Sequence, residues 1–461
     1  MKVKVTAGDG VGSLSGLTFT AGSGSGSLEA ALAAACRRLS LNRPPRATPV
    51  RQRPVPTPDG GRQAVVFLLP SQGSASNMTA REGGSTPGKQ AGGQMATKTT
   101  ARNVALVGPS GAGKTTLLES MLFAAGAIGR KGSVAEGTTV GDSSAEARGR
   151  QMSTEVSAAS FSSHGLDFTV LDCPGSVEFV QDAYAAVLGC DAAVVVVEPA
   201  LERMIAVAPL LQFLDANAIP HLIFINKMDR SEARYTDLLQ SLRDLSARPV
   251  LPHQYAIGRG DDLVGYVDLI SEEAHAFRRG QASDVIPVPA EHLEQEQAAR
   301  REMLETLADF DDDLMTLLLE DQEPPAELIM RDLRKTLRAD QVVPVLMGVA
   351  DQDMGVRRLI EALAREVPEP DARTEELGLD GDGDTVVQVL KNLYLPHAGK
   401  LSLVRIWRGG VKDGTVLSDM RVGGVYRVFG GQQQNVGSAE AGEIVALARL
   451  DGARTGAALS T

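Results

Sequence analysis

From Arg102 onward, apolar and polar positions fall into blocks that read as strand, helix, strand. Asn103–Val107 is a short apolar run of strand length, and Lys114–Ala125 carries apolar residues at helical spacing. Phe168–Leu171 and Ala192–Val197 are again strand-length runs, Met204–Asn217 predicts a helix, and Leu222–Ile225 predicts a strand. Strands that alternate with helices imply a parallel α/β sheet. Residues 250–340 interrupt the alternation with a strand-like stretch, Val264–Ile270, and charged helices that include Glu302–Leu307 and Asp313–Glu320. Val342–Leu346 resumes as a buried strand, and Val356–Val367 follows as an amphipathic helix. The expectation is an α/β domain over residues 100–369 with an α+β subdomain inserted at about 250–340. A polar linker is expected at 370–384. Short strands with Gly turns then run to the end: Val386–Leu395, Leu401–Arg408, Gly414–Leu417, Val422–Val428 and Glu443–Ala448. They predict a small antiparallel β-barrel over 385–461, which stops soon after closing or just short of it.

Residues 1–99 have a different texture. Gly, Ser, Pro and Arg dominate, and only Leu28–Cys36 and Ala64–Leu69 are apolar enough for short elements. Such a stretch buries too little apolar area to offset chain entropy, so a disordered extension is expected. It carries twelve basic and four acidic residues, a net +8, whereas the remainder of the chain carries −20. A basic arm touching RNA is one reading of the extension, and a non-structural extension, or a working start near Met95, is the other. The acidic body disfavours non-specific nucleic-acid binding, so an RNA partner must be met through a local patch or through shape. Cys36, Cys173 and Cys190 are widely separated and have no metal-ligand spacing. The longest apolar run is Ala192–Val197, far too short to cross a bilayer. A cytoplasmic protein with no membrane partner is expected.

The chemistry is concentrated in three motifs. Gly108-Pro109-Ser110-Gly111-Ala112-Gly113-Lys114-Thr115, followed by Thr116, has the spacing of a phosphate-binding loop. Its glycines let backbone N–H groups curl around phosphate oxygens, and the helix that follows points its positive end at the same charge. Lys114 would reach the outer phosphates, and the Thr115 hydroxyl would ligate Mg²⁺. The buried strand before it and the helix after it place the motif in a P-loop NTPase domain. Asp172-Cys-Pro-Gly175 closes the next core strand. There the Asp would hold Mg²⁺ through a water, and the Gly amide would meet the γ-phosphate. Asn226-Lys227-Met-Asp229 ends another core strand. The Asp229 carboxylate can accept two hydrogen bonds from guanine N1–H and the 2-amino group, which adenine cannot supply. Lys227 can lay its stem over the base. GTP and GDP with Mg²⁺ are therefore the expected ligands.

On these motifs the chain resembles elongation factor G among the translational GTPases. Asn226-Lys-Met-Asp-Arg230, Asp309-Phe-Asp311 and Gly399-Lys-Leu are phrases typical of that family. The resemblance runs from about Arg102 to Thr461 and spans the family's GTPase domain, its inserted subdomain and its second-domain barrel. The family's later domains, one of which enters the decoding site, lie outside it. The resemblance implies a GTP-binding translation factor that is monomeric and acts on ribosomal RNA and protein. Its alternatives are a GTP-dependent regulatory or ribosome-binding module without effective hydrolysis, and a relative of ribosome-protection or release factors. Three departures matter. The family's Arg-Gly-Ile-Thr switch aligns with Arg150-Gln-Met-Ser153, whose Ser153 keeps a hydroxyl for Mg²⁺ and the γ-phosphate. The His that follows the family's Asp-x-x-Gly and orients the attacking water is here Ser176. Serine is shorter and titrates far from neutrality, so slow or absent hydrolysis with normal GTP binding is expected. The family's Ser-Ala near the last core strand aligns with Val349-Ala350, whose backbone N–H groups would serve the guanine O6. These departures place the resemblance in the divergent elongation-factor-G-like branch.

The remaining signals read as structural. Asp380-Gly-Asp382-Gly-Asp384 lacks the glutamate of a calcium loop and reads as a solvated linker. Asp309–Asp313 suggests helix capping. The six histidines show no ligand spacing, His164 reads as a hairpin residue, and Trp407 as barrel packing.

Overall fold

A computed structural model describes residues 100–395 and 399–461, together with two short paired segments, Val55–Pro56 and Arg62–Gln63. Apart from those four residues, the expectation of disorder over 1–99 lies outside the described residues.

The apolar runs do form one sheet. Its first strands are β1 (Ala101–Val107), β2 (Ser157–Ser163), β3 (Leu166–Asp172), β4 (Ala192–Val197), β5 (His221–Ile225) and β6 (Val250–Pro252). A separate four-stranded antiparallel sheet follows, made of β7 (Gln254–Ile257), β8 (Gly265–Asp268), β9 (Ala274–Ala276) and β10 (Asp284–Ile286). Then β11 (Val343–Met347) returns to the first sheet, whose order is β2-β3-β1-β4-β5-β11-β6. All its pairings are parallel except β2 with β3. Successive side chains point to opposite faces. Ala105, Val107, Val195 and Ile223 therefore meet Val187, Leu211, Leu214 and Leu238 on one face. Val104, Leu106, Val194 and Phe224 meet Leu117, Leu118, Leu359 and Leu363 on the other. Burial on both faces is why these strands read as continuous apolar runs.

Several expected elements differ in detail. The helix expected at Met204–Asn217 is two helices, Leu201–Met204 and Ala208–Ala216, joined by a 3-10 turn. Pro209 has no N–H to continue the first helix but fits the opening turn of the second. The segment expected as a linker opens with helix Pro370–Glu376, for the same reason of proline placement. Strand β2 is not among the expected elements, because its Ser/Ala-rich sequence has too weak an alternation. Helix Leu293–Ala308 extends well beyond the expected Glu302–Leu307, and helix Ala326–Arg338 is not among the elements named, because charged residues cover their exposed faces. Asp311 caps helix Asp312–Leu319 by accepting from the Asp313 and Leu314 amides, at 3.1 and 3.3 Å.

Beyond residue 385 the chain is antiparallel β. The strands are β12 (Val386–Leu395), β13 (Gly399–Arg408), β14 (Gly410–Lys412), β15 (Val416–Leu417), β16 (Met420–Arg421), β17 (Val425–Phe429), β18 (Gln432–Asn435), β19 (Ser438–Glu440), β20 (Ile444–Ala448) and β21 (Ala458–Ser460). Six of them pair in the order β18-β17-β20-β13-β12-β21, around a core that includes Val387, Val404, Ile406, Val425 and Leu447. Trp407 is buried, donates from Nε1 to Gln388 Oε1 at 3.0 Å, and lies under the Arg405 guanidinium.

This β unit is joined to the α/β sheet by continuous packing. Leu390, Leu401, Leu403 and Val428 share a core with Val187 and Cys190. Arg405 Nη2 donates to Asp191 Oδ1 at 2.7 Å, and both side chains are fully buried. Asp191 Oδ2 also accepts from the backbone and side-chain nitrogens of Asn103, at 2.7 and 2.8 Å.

A second buried polar group lies behind helix Val356–Glu366. His253 and Glu366 are both wholly inaccessible, with Nδ1 and Oε1 3.6 Å apart. Beside them Arg358 donates to Asp268 at 2.7 Å. Burial pushes the Glu366 carboxyl up to about 8, with Arg358 only partly opposing. A carboxyl raised in the folded state contributes stability below its unfolded value that is lost as pH rises through the folded one. Glu366→Gln, which keeps the shape without the charge, should therefore raise the melting temperature at pH 9 and change it little at pH 5. Thermal unfolding at the two pH values checks this, and equal shifts at both would contradict it.

Candidate functional site

All three motifs sit at the carboxyl ends of parallel strands, where loops from neighbouring strands converge. Residues 108–113 leave β1 in a turn that L-side chains cannot follow. Gly108 has φ 139°, and a Cβ there would lie 2.2 Å from the Val196 carbonyl oxygen. Gly111 and Gly113 also have positive φ, 84° and 91°. The helix Lys114–Ala124 starts at once, with Gly113 as its N-cap and no side chain capping it, so its first N–H groups face the loop. Pro109 and Ser110 form the loop's outer arm, Ala112 is buried beneath it, and Thr116 is half-buried on the first helical turn.

Lys114 is almost fully buried and donates from Nζ to the carbonyl oxygens of Gly108 and Pro109, at 2.9 and 3.0 Å. Burial lowers its affinity for the proton, with Asp172 the main opposing charge. Thr115 Oγ1 donates to Asp172 Oδ2 at 2.7 Å and lies 3.1 Å from Ser153 Oγ. The three residues assigned to a metal thus meet around one point, although Ser153 is brought there by a long excursion between the first helix and β2. Asp172 is fully buried, and its Oδ1 has no hydrogen-bond partner among the described residues. Burial pushes this carboxyl up to about 7. An orphaned carboxylate oxygen beside two hydroxyls is a donor set that fits a hard divalent cation.

Asp142 also belongs here, and sequence reasoning missed it. It is buried, and its carboxyl is raised by burial while Ser153, Lys114 and Thr115 offset part of the cost. No motif marks it; the only hint was a polar Gly-Asp pair in an otherwise unpatterned loop. Glu119, on the first helix, holds that loop in place by accepting from the Gly132 and Val140 amides, at 2.8 and 2.5 Å.

Gly175 packs on the phosphate loop. A Cβ there would lie 2.4 Å from Lys114 Nζ and 2.7 Å from the Ser110 nitrogen, so only glycine fits. Ser176 follows, half-buried at the start of a 3-10 turn, Val177–Phe179, with its side chain unused as a cap. The neighbouring Cys173 is fully buried, and burial pushes its thiol well up, which makes it inert.

At the base-reading end, Asn226 ties three segments together. Its Nδ2 donates to Ala112 O at 2.9 Å, and its Oδ1 accepts from the amides of Lys227 and Ala350, at 2.8 and 2.9 Å. Lys227 adopts φ 60° and sends its Nζ to Gly111 O at 2.6 Å and to Glu198, so its stem crosses the loop. Asp229 is half-buried; its Oδ2 accepts from Gln352 Nε2 at 3.0 Å, and its Oδ1 is buried without a partner among the described residues. Val349 and Ala350 lie alongside, but their amides are engaged within the protein: Val349 donates to Met354 O at 3.0 Å and Ala350 to Asn226. The structure thus brings the phosphate loop, Asp172, Ser153, Asn226, Asp229 and Ala350 into one cleft edge.

The family model for the elongation factor Tu GTP binding domain matches residues 99–369. An elongation factor G-like protein from Synechocystis is 50% identical over 362 residues, covering 78% of this chain and 54% of that protein. Mitochondrial ribosome-releasing factor 2 from Drosophila melanogaster is 30% identical over 373 residues, covering 78% of this chain and 50% of that one. A crystal structure of a Thermus thermophilus protein superposes with a TM-score of 0.68 at 30% identity, over 78% of this chain and 54% of its own. The chain spans about half the length of the curated relatives it matches. Among the described residues, no helix is long and apolar enough to cross a membrane.

Proposed function

This chain belongs to the family of the elongation factor Tu GTP binding domain, and from that premise we propose an elongation-factor-G-like translation factor that binds GTP with Mg²⁺, hydrolyses it slowly and acts on the ribosome. The observation that carries the reading is the convergence of Thr115, Ser153 and Asp172 below a phosphate loop that Asn226 ties to the base-reading segments. Amides of residues 110–116 hold the phosphates, and Lys114 exchanges its two carbonyl acceptors for phosphate oxygens. Thr115, Ser153 and Asp172 would hold Mg²⁺, with Asp142 beside them. When bound, the ion neutralises charge on the phosphoryl group in transfer. Gly175 reports the γ-phosphate through its amide, and Asp229 selects guanine. The protein works as a monomer in the cytoplasm, with ribosomal RNA and proteins as its partners.

Ser176 governs the rate. Its hydroxyl is too short and too weakly basic to orient water as an imidazole does. In single-turnover assays with ribosomes, Ser176→His should raise hydrolysis by about 10²-fold, the lower end for a positioned acid–base group, without changing GTP affinity. Equal rates for the two proteins, or a wild-type rate matching that of a His-bearing homologue, would refute slow hydrolysis. Ser176 also supports a second reading, a regulatory module that holds GTP on the ribosome without cleaving it. Turnover unchanged by ribosomes, with GTP-dependent ribosome binding, would favour that one.

A further inference from the structure

The guanine-reading carboxylate is not held by its own motif alone. Asp229 Oδ2 accepts a hydrogen bond from Gln352 Nε2 at 3.0 Å, across 123 residues of sequence. Gln352 ends the short 3-10 turn Ala350–Gln352, and its backbone N–H donates to Val349 O at 3.1 Å. Its side-chain oxygen in turn accepts from Arg279 Nε at 3.3 Å, and its backbone oxygen accepts from the Gly280 amide at 3.1 Å. Arg279 and Gly280 lie in the turn between β9 and β10. The turn of the separate four-stranded sheet therefore orients Gln352, and Gln352 orients Asp229. Val349, at the other end of this segment, has no side-chain donor that could do this.

We propose that Gln352, positioned by Arg279, is a specificity-determining residue for the guanine base. The proposal rests on the nucleotide-binding reading above and assigns a role that reading does not contain. The argument concerns carboxylate rotation. Asp229 must accept from two adjacent donors on one base edge, so its two oxygens must lie in the plane of the base. A carboxylate rotates broadly about its terminal bond. Gln352 takes one lone pair of Oδ2 and leaves free the second lone pair of Oδ2 and both of Oδ1. It thus fixes the plane before the base arrives, and Oδ1 stays buried and open for a donor. Gln352 is neutral, so it does this without drawing off the negative charge the base donors need. Arg279 polarises and holds the amide from its far end, which sets which way the glutamine faces.

The test is equilibrium binding of GDP and of inosine diphosphate, which lacks the 2-amino group, to the full chain and its variants. Gln352→Ala should weaken GDP by about 3- to 10-fold, the range expected for losing one preorganised rotor. It should weaken inosine diphosphate less, because one donor tolerates a rotated carboxylate, so the ratio of the two affinities falls. Gln352→Glu places a like charge against Asp229 and should weaken GDP more than the alanine variant does. Gln352→Lys restores a donor but draws charge from the carboxylate, and should recover part of the loss. Arg279→Ala should act in the direction of Gln352→Ala with a smaller effect. GDP bound by Gln352→Ala as tightly as by wild type, or more tightly, would overturn the proposal. So would equal losses for the two nucleotides, which would mark a general loosening of the loop. Failure of the wild-type protein to bind GDP at all would instead overturn the nucleotide-binding reading.

Discussion

Asp229→Asn should lower affinity for GTP and GDP by about three orders of magnitude or more and raise affinity for xanthosine nucleotides by a comparable factor. Guanine presents two donors to this carboxylate, N1–H and the 2-amino group. The Asn oxygen can still meet N1–H, but its NH₂ then faces the 2-amino group, donor against donor, at a partly buried site. A mismatched polar group in such a site costs several kcal/mol, about 10³- to 10⁵-fold in discrimination. Xanthine carries a carbonyl in place of that amino group, so the amide pairs with it fully. The fold should be untouched, because Asp229 is half-buried in the short 3-10 turn Met228–Arg230 and Asn has nearly its shape. Fluorescent-nucleotide titration with both bases decides the matter: unchanged preference for guanine in the variant would remove Asp229 from the reading site.

Arg405→Met is expected to destabilise the chain by about 3–5 kcal/mol, because breaking a fully buried ion pair leaves a charge without its partner. Asp191 would keep the two Asn103 donors but lose the guanidinium that donates to both its oxygens. Trp407 would also lose the guanidinium 4.8 Å from its ring centre. The loss falls on the seam between the two sheets. Asn103, at the start of β1, also donates to Gly442 O at 2.8 Å in the C-terminal β unit. The same small group therefore sets the docking of that unit and anchors the strand that ends in the phosphate loop. A drop of roughly 10 °C in melting temperature, accompanied by weaker nucleotide binding, is the expected result. A change below about 1 kcal/mol would show that the pair is dispensable.

The way the pocket is built also explains its charge pattern. Asp172 is raised and Lys114 lowered by the same cause, burial under the loops that close the site. Burial disfavours the charged form of each, and a triphosphate with its cation would stabilise those charged forms. Perturbed groups gathered at one cleft are what a binding site, rather than a packed core, tends to show.

Much of this was legible along the chain. Gly108–Thr115 determines its own geometry, because eight consecutive residues make the loop and the glycines alone permit its φ angles. The same holds for Asp172–Gly175 and Asn226–Asp229: each motif is contiguous, and each lies where an apolar run stops. The alternating blocks likewise determined the α/β sheet, since strands buried on both faces must be apolar throughout. The tertiary structure decided whatever depends on residues far apart in sequence. Asp142 joins Thr115 and Ser153 only because Glu119 pins the intervening loop, and Gln352 meets Asp229 only through a turn of another sheet. The amides of Val349 and Ala350 are committed to Met354 and Asn226, a fact that no alignment of motifs contains. Single polar residues have no period and no neighbours that announce them. Their partners are chosen by the packing of the sheet and its helices, so their chemistry appears only once the chain has closed.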